Sequence, residues 1–444
     1  MKKMLLCFSL IFILSPETKA EPANEEHFKN LSIIHYGIES QIIELLGRLK
    51  NLQEKLYNDD LLELLDDSRS ITLKTALLDF FRDSDVAEAI PYAVEYLEDR
   101  FELAKNLIDS SFTYLIKIKA TEASSIAMEI LENKETAWLS QTIRLIAAVG
   151  KLEAVPQLVD IYNDPASSSM LKEQILLALS ELKADESFEL YSNLLEQESS
   201  SRIEKMYSVT GLGKLGDPRA ISILQNAAFS DIPEVRARAV SALAEFDNDE
   251  VRKVVLEAMK DSHIAPRLAA IQAADKLRLE EAVPYLNFKL QYDPERTARE
   301  AAIKALASIG TDECFELLIK FLREIGNTAV YRSQVFGAIA ANDDNFNEEL
   351  EAMLLAAMND KDRAFFILLA RAIVLIDTPQ AVPFLKVLLT DQDHTIRLGA
   401  LVAIERHEFI ELLETVRTIS SNDSAETVSK KAEQVLERLQ RASN

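Results

Sequence analysis

Apolar side chains recur along most of this chain with the spacing of an amphipathic helix, and the helical segments themselves recur. A register opened by Lys74, Lys105, Leu139, Lys172, Lys205, Arg236, Arg267, Arg299, Arg332, Phe366, Arg397 and Ser429 runs at intervals of 31 to 34 residues. Seven positions past each of these anchors stands an apolar residue, from Phe81 and Phe112 to Ile404 and Leu436. Six positions past the anchor the residue is usually small, as at Ala178, Gly211, Ala242, Ala273, Ala305, Ala338, Ala372 and Ala403. Apolar residues at +3, +6, +7 and +10 predict one buried stripe per helix. The small residue lets a neighbouring helix approach closely.

A second helix per unit is marked by Ala89-Ile90-Pro91, Ala154-Val155-Pro156, Ala282-Val283-Pro284 and Ala381-Val382-Pro383. These triplets are 65, 128 and 99 residues apart, near two, four and three units of about 32. Proline suits the first turn of a helix, where its missing N–H is not needed. The pattern over residues 28 to 57 differs. Leu31, Ile34, Ile38, Ile42, Leu45, Leu49, Leu52 and Leu56 step by three and four, which predicts one long amphipathic helix. It is expected to cap the first unit, with a dimerising coiled coil as the alternative.

Composition narrows the fold class. Only 10 Gly and 12 Pro in 444 residues are too few for the tight turns of a sandwich or barrel. The expectation is an all-α protein, an α-solenoid of about 11 to 12 helix pairs. One pair cannot bury its apolar faces alone, whereas a pair stacked between two others can.

The first twenty residues read differently again. Lys2 and Lys3 precede an apolar run from Met4 to Leu14, Pro16 breaks it, and Thr18-Lys19-Ala20 resembles a cleavage site. The run is too short for a membrane span of about 20 residues. The expected layout is a signal peptide at 1–20, the amphipathic segment at 21–58 and the repeat array at 59–444. The expected location is outside the cytoplasm, periplasmic or secreted, in a bacterial envelope.

The best-matching unit runs Asp391-Gln392-Asp393-His394-Thr395-Ile396-Arg397-Leu398-Gly399-Ala400-Leu401-Val402-Ala403-Ile404. Pro233-Glu234-Val235-Arg236 running on to Ala242-Leu243 is another. These segments resemble HEAT repeats of the short type named after phycobilisome lyases, over roughly residues 59 to 440. The resemblance implies antiparallel helix pairs in a right-handed superhelix, with one helix of each pair lining a concave face. It leaves function open.

Asp99, Asp261, Asp293, Asp360, Asp391 and Asp423 lie six residues before an anchor, and Asp231 lies five before Arg236. Such an Asp can satisfy turn N–H groups while the Arg or Lys pairs with an Asp of its own or the next unit. The family resembled also includes bilin lyases and a hydroxylase whose di-iron site needs several His-Glu pairs. Here His407-Glu408 is the one such pair, and His27, His35, His263 and His394 are scattered. No phosphate loop, zinc pattern or nucleophile elbow is present, and Cys314, the one cysteine after the leader, reads as a buried thiol. The expectation is therefore a protein that is not an enzyme, with no catalytic residues, no metal site and no cofactor.

Charge sharpens this. The chain carries 73 acidic and 49 basic residues, a formal net charge of −24, which argues against nucleic acid as a ligand. Yet on the side of the anchored helices facing away from the stripe, positions +2, +5 and +9 carry Arg144, Lys214, Arg238, Lys276, Lys304, Arg371 and Arg406. Their acidic counterparts are only Glu181 and Glu245. Chance would account for such a bias; the alternative is a groove for an acidic or extended protein segment. Ala364 to Ile376 is apolar nearly all round and is expected to be buried on every side, the alternative being an exposed partner patch. The favoured function is a non-catalytic protein-binding scaffold outside the cytoplasm. The runner-up is an accessory factor for an exported enzyme or cofactor-bearing client.

Overall fold

The computed structural model describes residues 22–52, 55–360 and 363–442. The expected leader at 1–20 lies outside the described residues. Every regular element among those described is helical, and no helix of the described residues is long and apolar enough to cross a membrane. Two compact units divide between Ser187 and Phe188. The first holds ten α-helices, Pro22–Tyr36 through Ser169–Leu182, and the second holds sixteen, Phe188–Glu196 through Glu426–Ala442.

Within each unit, helices alternate between two layers. The Ala-apolar-Pro triplets open the outer helices, and the alanine closes a single 3₁₀ turn that precedes each one. Ala89, Ala154, Ala282 and Ala381 end such turns and are completely buried. The proline then occupies the first turn of the helix. The anchored helices bury a tetrad, as Ala239, Val240, Ala242 and Leu243 or Ala400, Leu401, Ala403 and Ile404 show. The stripe is thus +3, +4, +6, +7, with +10 buried only in some units. Lys105 is out of register by three: Ser111, Phe112, Tyr114 and Leu115 are the buried tetrad, so Ile108 holds the anchor position. The small +6 residue does what was expected at Gly211, where an added Cβ would lie 2.4 Å from the ring of the buried Tyr191.

In the second unit the anchored helices from Arg202–Leu215 to Ala364–Ile373 pack directly on one another down the row, while the outer helices there meet little. After Ala364–Ile373 the pattern reverses: His394–His407 packs on Glu426–Ala442 but not closely on Ala364–Ile373, and the outer helices Asn347–Met358 and Val382–Leu388 meet instead.

Two expectations about helices need correction. The segment 28–57 is not one helix but two, Pro22–Tyr36 and Glu39–Leu52. The chain turns at Gly37, whose N–H donates to the Ile33 carbonyl and where a Cβ would stand 2.4 Å from that oxygen. Ile34, Ile42, Leu45 and Leu49 are buried inside the unit, whereas Ile38, Leu52 and Leu56 are exposed. The stripe that could have zipped two copies together is largely spent internally. Ala364–Ile373 is likewise not buried all round: Phe366, Leu369, Ala370 and Ile373 face inward, but Ile367 and, just beyond the helix, Leu375 are exposed.

Among the described residues, three junctions between successive repeats are joined by a forked arginine. Arg267 donates from one nitrogen to the carbonyls of Asp261 and Ser262 in its own turn, and from the other two to Asp293 of the next repeat at 3.1 Å each. Arg236 does the same with Ser230, Asp231 and Asp261, and Arg397 with Asp391, Gln392 and Asp423. Each receiving carboxylate also accepts the N–H two residues on, from His263, Glu295 and Ala425. The Asp therefore builds the turn rather than capping the helix itself. In the first unit a displaced version uses the buried Arg100, which holds Glu129 and Glu135.

Burial alone would raise the Asp293 carboxyl, but the Arg267 and Glu295 hydrogen bonds and the charges of Arg267 and Lys289 outweigh it and hold it below its ordinary 3.8. The Arg236 and Arg397 hydrogen bonds, against a smaller effect of burial, likewise depress Asp261 and Asp423. A carboxylate depressed in the folded state stabilises above its unfolded value and loses that contribution as pH falls through the folded one. Urea midpoints are expected to be flat near neutrality and to drop below about pH 4, less steeply once the ladder carboxylates are replaced by Asn. Asp293→Ala, which strands the buried Arg267, should cost about 3–5 kcal/mol in the same measurement.

Candidate partner-binding face

The seven basic residues singled out on the anchored helices all project to the exposed side of their helices. Arg144 belongs to the first unit and Lys214, Arg238, Lys276, Lys304, Arg371 and Arg406 to the second, so the structure groups only the last six on one row. Their neighbours divide them. Lys276 is paired with Glu245 at 2.6 Å, and Lys304 stands 3.9 Å from Asp275. Arg238 donates to the Thr210 hydroxyl. Lys214, Arg238, Arg371 and Arg406 have no carboxylate partner among the described residues. Carboxylates near the last of these are occupied elsewhere, Glu405 by Lys431 and Glu408 by Arg438.

The Lys276–Glu245 pair was open to discovery from the register alone. Both residues are at +9 in successive repeats, and equal positions in a stack lie side by side. The same columns also expose apolar side chains, Leu375 at +9 and Val402 at +5, which charge alone does not mark. Shape matters too. Cavities of about 400, 370, 360 and 480 Å³ lie between helices elsewhere, and none of the seven basic residues lines one. The row is an open surface suited to an extended partner rather than to a small enclosed ligand.

The residues present do not fit the di-iron donor set implied by the resemblance. Glu408 is the left-handed cap of its helix and is engaged by Arg438, while His407 lies against the Phe409 ring. Among the described residues no group of three or more His, Cys, Asp or Glu side chains is placed to hold a metal. Cys314 is fully buried, with the Thr311 hydroxyl 3.2 Å from its sulfur.

Paired helices, 3₁₀ entry turns and an Arg–Asp ladder at a period near 32 define a HEAT-repeat array. The chain belongs to the family described as Spirochaete HEAT repeat protein, whose family model matches residues 34–435. Deoxyhypusine hydroxylase of Candida albicans is 26% identical over 270 residues, 58% of this chain and 80% of that protein. Human deoxyhypusine hydroxylase, solved with glycerol, aligns at 20% identity and a TM-score of 0.27, covering 59% of this chain and 99% of its own. The CpcE–CpcF complex of phycocyanin lyase from Nostoc sp. PCC7120 aligns at 18% identity and 0.32, covering 52% and 91%.

The expectation that the chain is not an enzyme is thereby overturned. A curated relative in sequence, deoxyhypusine hydroxylase, is an enzyme, and no nucleophile elbow, phosphate loop or zinc pattern in the chain marks that kinship.

Ladder and surface charges should separate cleanly on mutation. Charge reversal at Arg238 or Arg406 is expected to leave the urea midpoint unchanged within about 0.5 kcal/mol. Arg267→Ala, which removes the two guanidinium hydrogen bonds to the buried Asp293 and leaves it only Lys289 at 3.4 Å and the Glu295 N–H, should lower it by several times that amount.

Proposed function

We propose that this HEAT-repeat protein is a protein-binding scaffold whose anchored row in the second unit receives an acidic, extended segment of its partner. The observation that carries the reading is a row of exposed cations, of which Lys214, Arg238, Arg371 and Arg406 have no carboxylate partner among the described residues, in a chain of net charge −24. Unpaired surface cations raise the local potential and steer an oppositely charged partner. The proposed layout is a leader at 1–20, an N-terminal cap at 21–58 and the array at 59–444, acting outside the cytoplasm in a bacterial envelope. In the first unit Glu39–Leu52 packs on Ile71–Asp83, and Pro22–Tyr36 on Asn58–Asp67, which supports the cap over the coiled-coil alternative.

A second reading, in which the array grips a client protein while chemistry is done on it, is favoured by the enzymatic relative. An absorbing or metal-bearing ligand that copurifies with the native protein would carry that reading instead.

The test is crosslinking and pull-down of the native protein from its envelope. Reversing Lys214, Arg238, Lys276 and Lys304 together should weaken capture of the crosslinked partner at least about tenfold at low salt. Raised ionic strength should weaken wild-type capture in the same direction. Capture that is unchanged by both would overturn the reading.

A further inference from the structure

The end of the anchored row carries a feature absent from the rest of it. Ala364–Ile373 and His394–His407 belong to successive repeats and share few close contacts. Equal positions in successive repeats lie side by side, as the Lys276–Glu245 pair shows. At +5 stand Arg371 and Val402, and at +9 stand Leu375 and Arg406. All four are exposed, Leu375 at 72% and Val402 at 40%. Cation and aliphatic side chain thus alternate in a two-by-two plaque, with the arginines on one diagonal and the aliphatics on the other. Ile367, 39% exposed, extends the aliphatic wall.

Neither arginine has a carboxylate partner among the described residues, and the nearby Glu405 and Glu408 are bound to Lys431 and Arg438. The preceding repeat is flat here. Gly337 is half-buried, and an added Cβ would stand 3.2 Å from the Ala372 Cβ, so no side chain rises from that position beside Arg371.

The spacing selects a ligand. Four residues along a helix rise about 6 Å, and a neighbouring helix about 10 Å or more away puts the two arginine positions roughly 12–13 Å apart. That is four residues of extended chain at about 3.3 Å each. In an extended segment, residues i, i+2 and i+4 share one face. Carboxylates at i and i+4 would meet Arg371 and Arg406, and the side chain at i+2 would fall where the diagonals cross, between Leu375 and Val402.

We infer that this plaque recognises an extended segment of the form acidic-x-aliphatic-x-acidic. The inference rests on the scaffold reading and narrows its partner. Guanidinium groups suit carboxylates through paired N–H donors, and the central aliphatic side chain distinguishes the site from a general acid-binding surface.

The test uses the full chain and fluorescein-labelled peptides centred on Glu-Ser-Leu-Ser-Glu, Glu-Ser-Ser-Ser-Glu and Glu-Leu-Glu, read by anisotropy. The first peptide should bind at least about fivefold more tightly than either control, roughly the worth of one buried aliphatic side chain. The double variant R371E/R406E should lose binding by about tenfold or more. L375S/V402S should reduce the first peptide to the level of the second while retaining the helical circular dichroism of the wild type. Equal binding of the three peptides, or indifference to L375S/V402S, overturns the plaque. The scaffold reading fails separately, if native partner capture is unmoved by reversal of Lys214, Arg238, Lys276 and Lys304.

Discussion

The forked arginine is the interaction on which the array depends. Each helix pair presents an incomplete surface, and Arg236, Arg267 and Arg397 tie the turn of one repeat to the carboxylate of the next. One side chain thereby satisfies turn carbonyls, neutralises a buried acid and fixes the distance between neighbours. Removing either partner leaves a polar or charged group in a dry place. The apolar tetrad supplies most of the burial, but it would tolerate sliding. The fork does not, because its three nitrogens reach four oxygen atoms, two carbonyls of its own turn and both oxygens of one carboxylate in the next.

That division of labour explains how the same helices can carry a variable surface. The inward face is held by tetrad and ladder, so positions +2, +5 and +9 are free of structural duty. Some cations there are cancelled by neighbours in the same column, as Lys276 is by Glu245. Others are not, and those are the ones that give the row its character. The kinship with deoxyhypusine hydroxylase shows that such a framework is compatible with enzymatic chemistry elsewhere in the repeat world.

Much of this was legible in the residues. The period, the all-α class, the Pro-led outer helices and the Asp–Arg ladder all follow from spacing. Where reading failed, the cause was local. Around Gly37 the stripe from Leu31 to Leu56 keeps its helical step, so periodicity runs straight through a turn that depends on a missing Cβ. At Lys105 a basic residue opens its helix three positions early, and only the burial of Tyr114 and Leu115 sets the true register. The apolar run from Ala364 to Ile376 could not reveal that the next anchored helix meets it only thinly while Asn347–Met358 meets Val382–Leu388, a change of contacts no local pattern encodes.

The thin contact after Ala364–Ile373 has a mechanical meaning. Elsewhere in the second unit the anchored row resists bending because its helices are already in touch. Here the anchored helices touch little and the outer helices meet instead, so flexing is easiest across this one joint. A segment lying from Arg371 to Arg406 would bridge the joint, like a splint. Occupancy of a short surface would then be felt as stiffness by the repeats on either side of it.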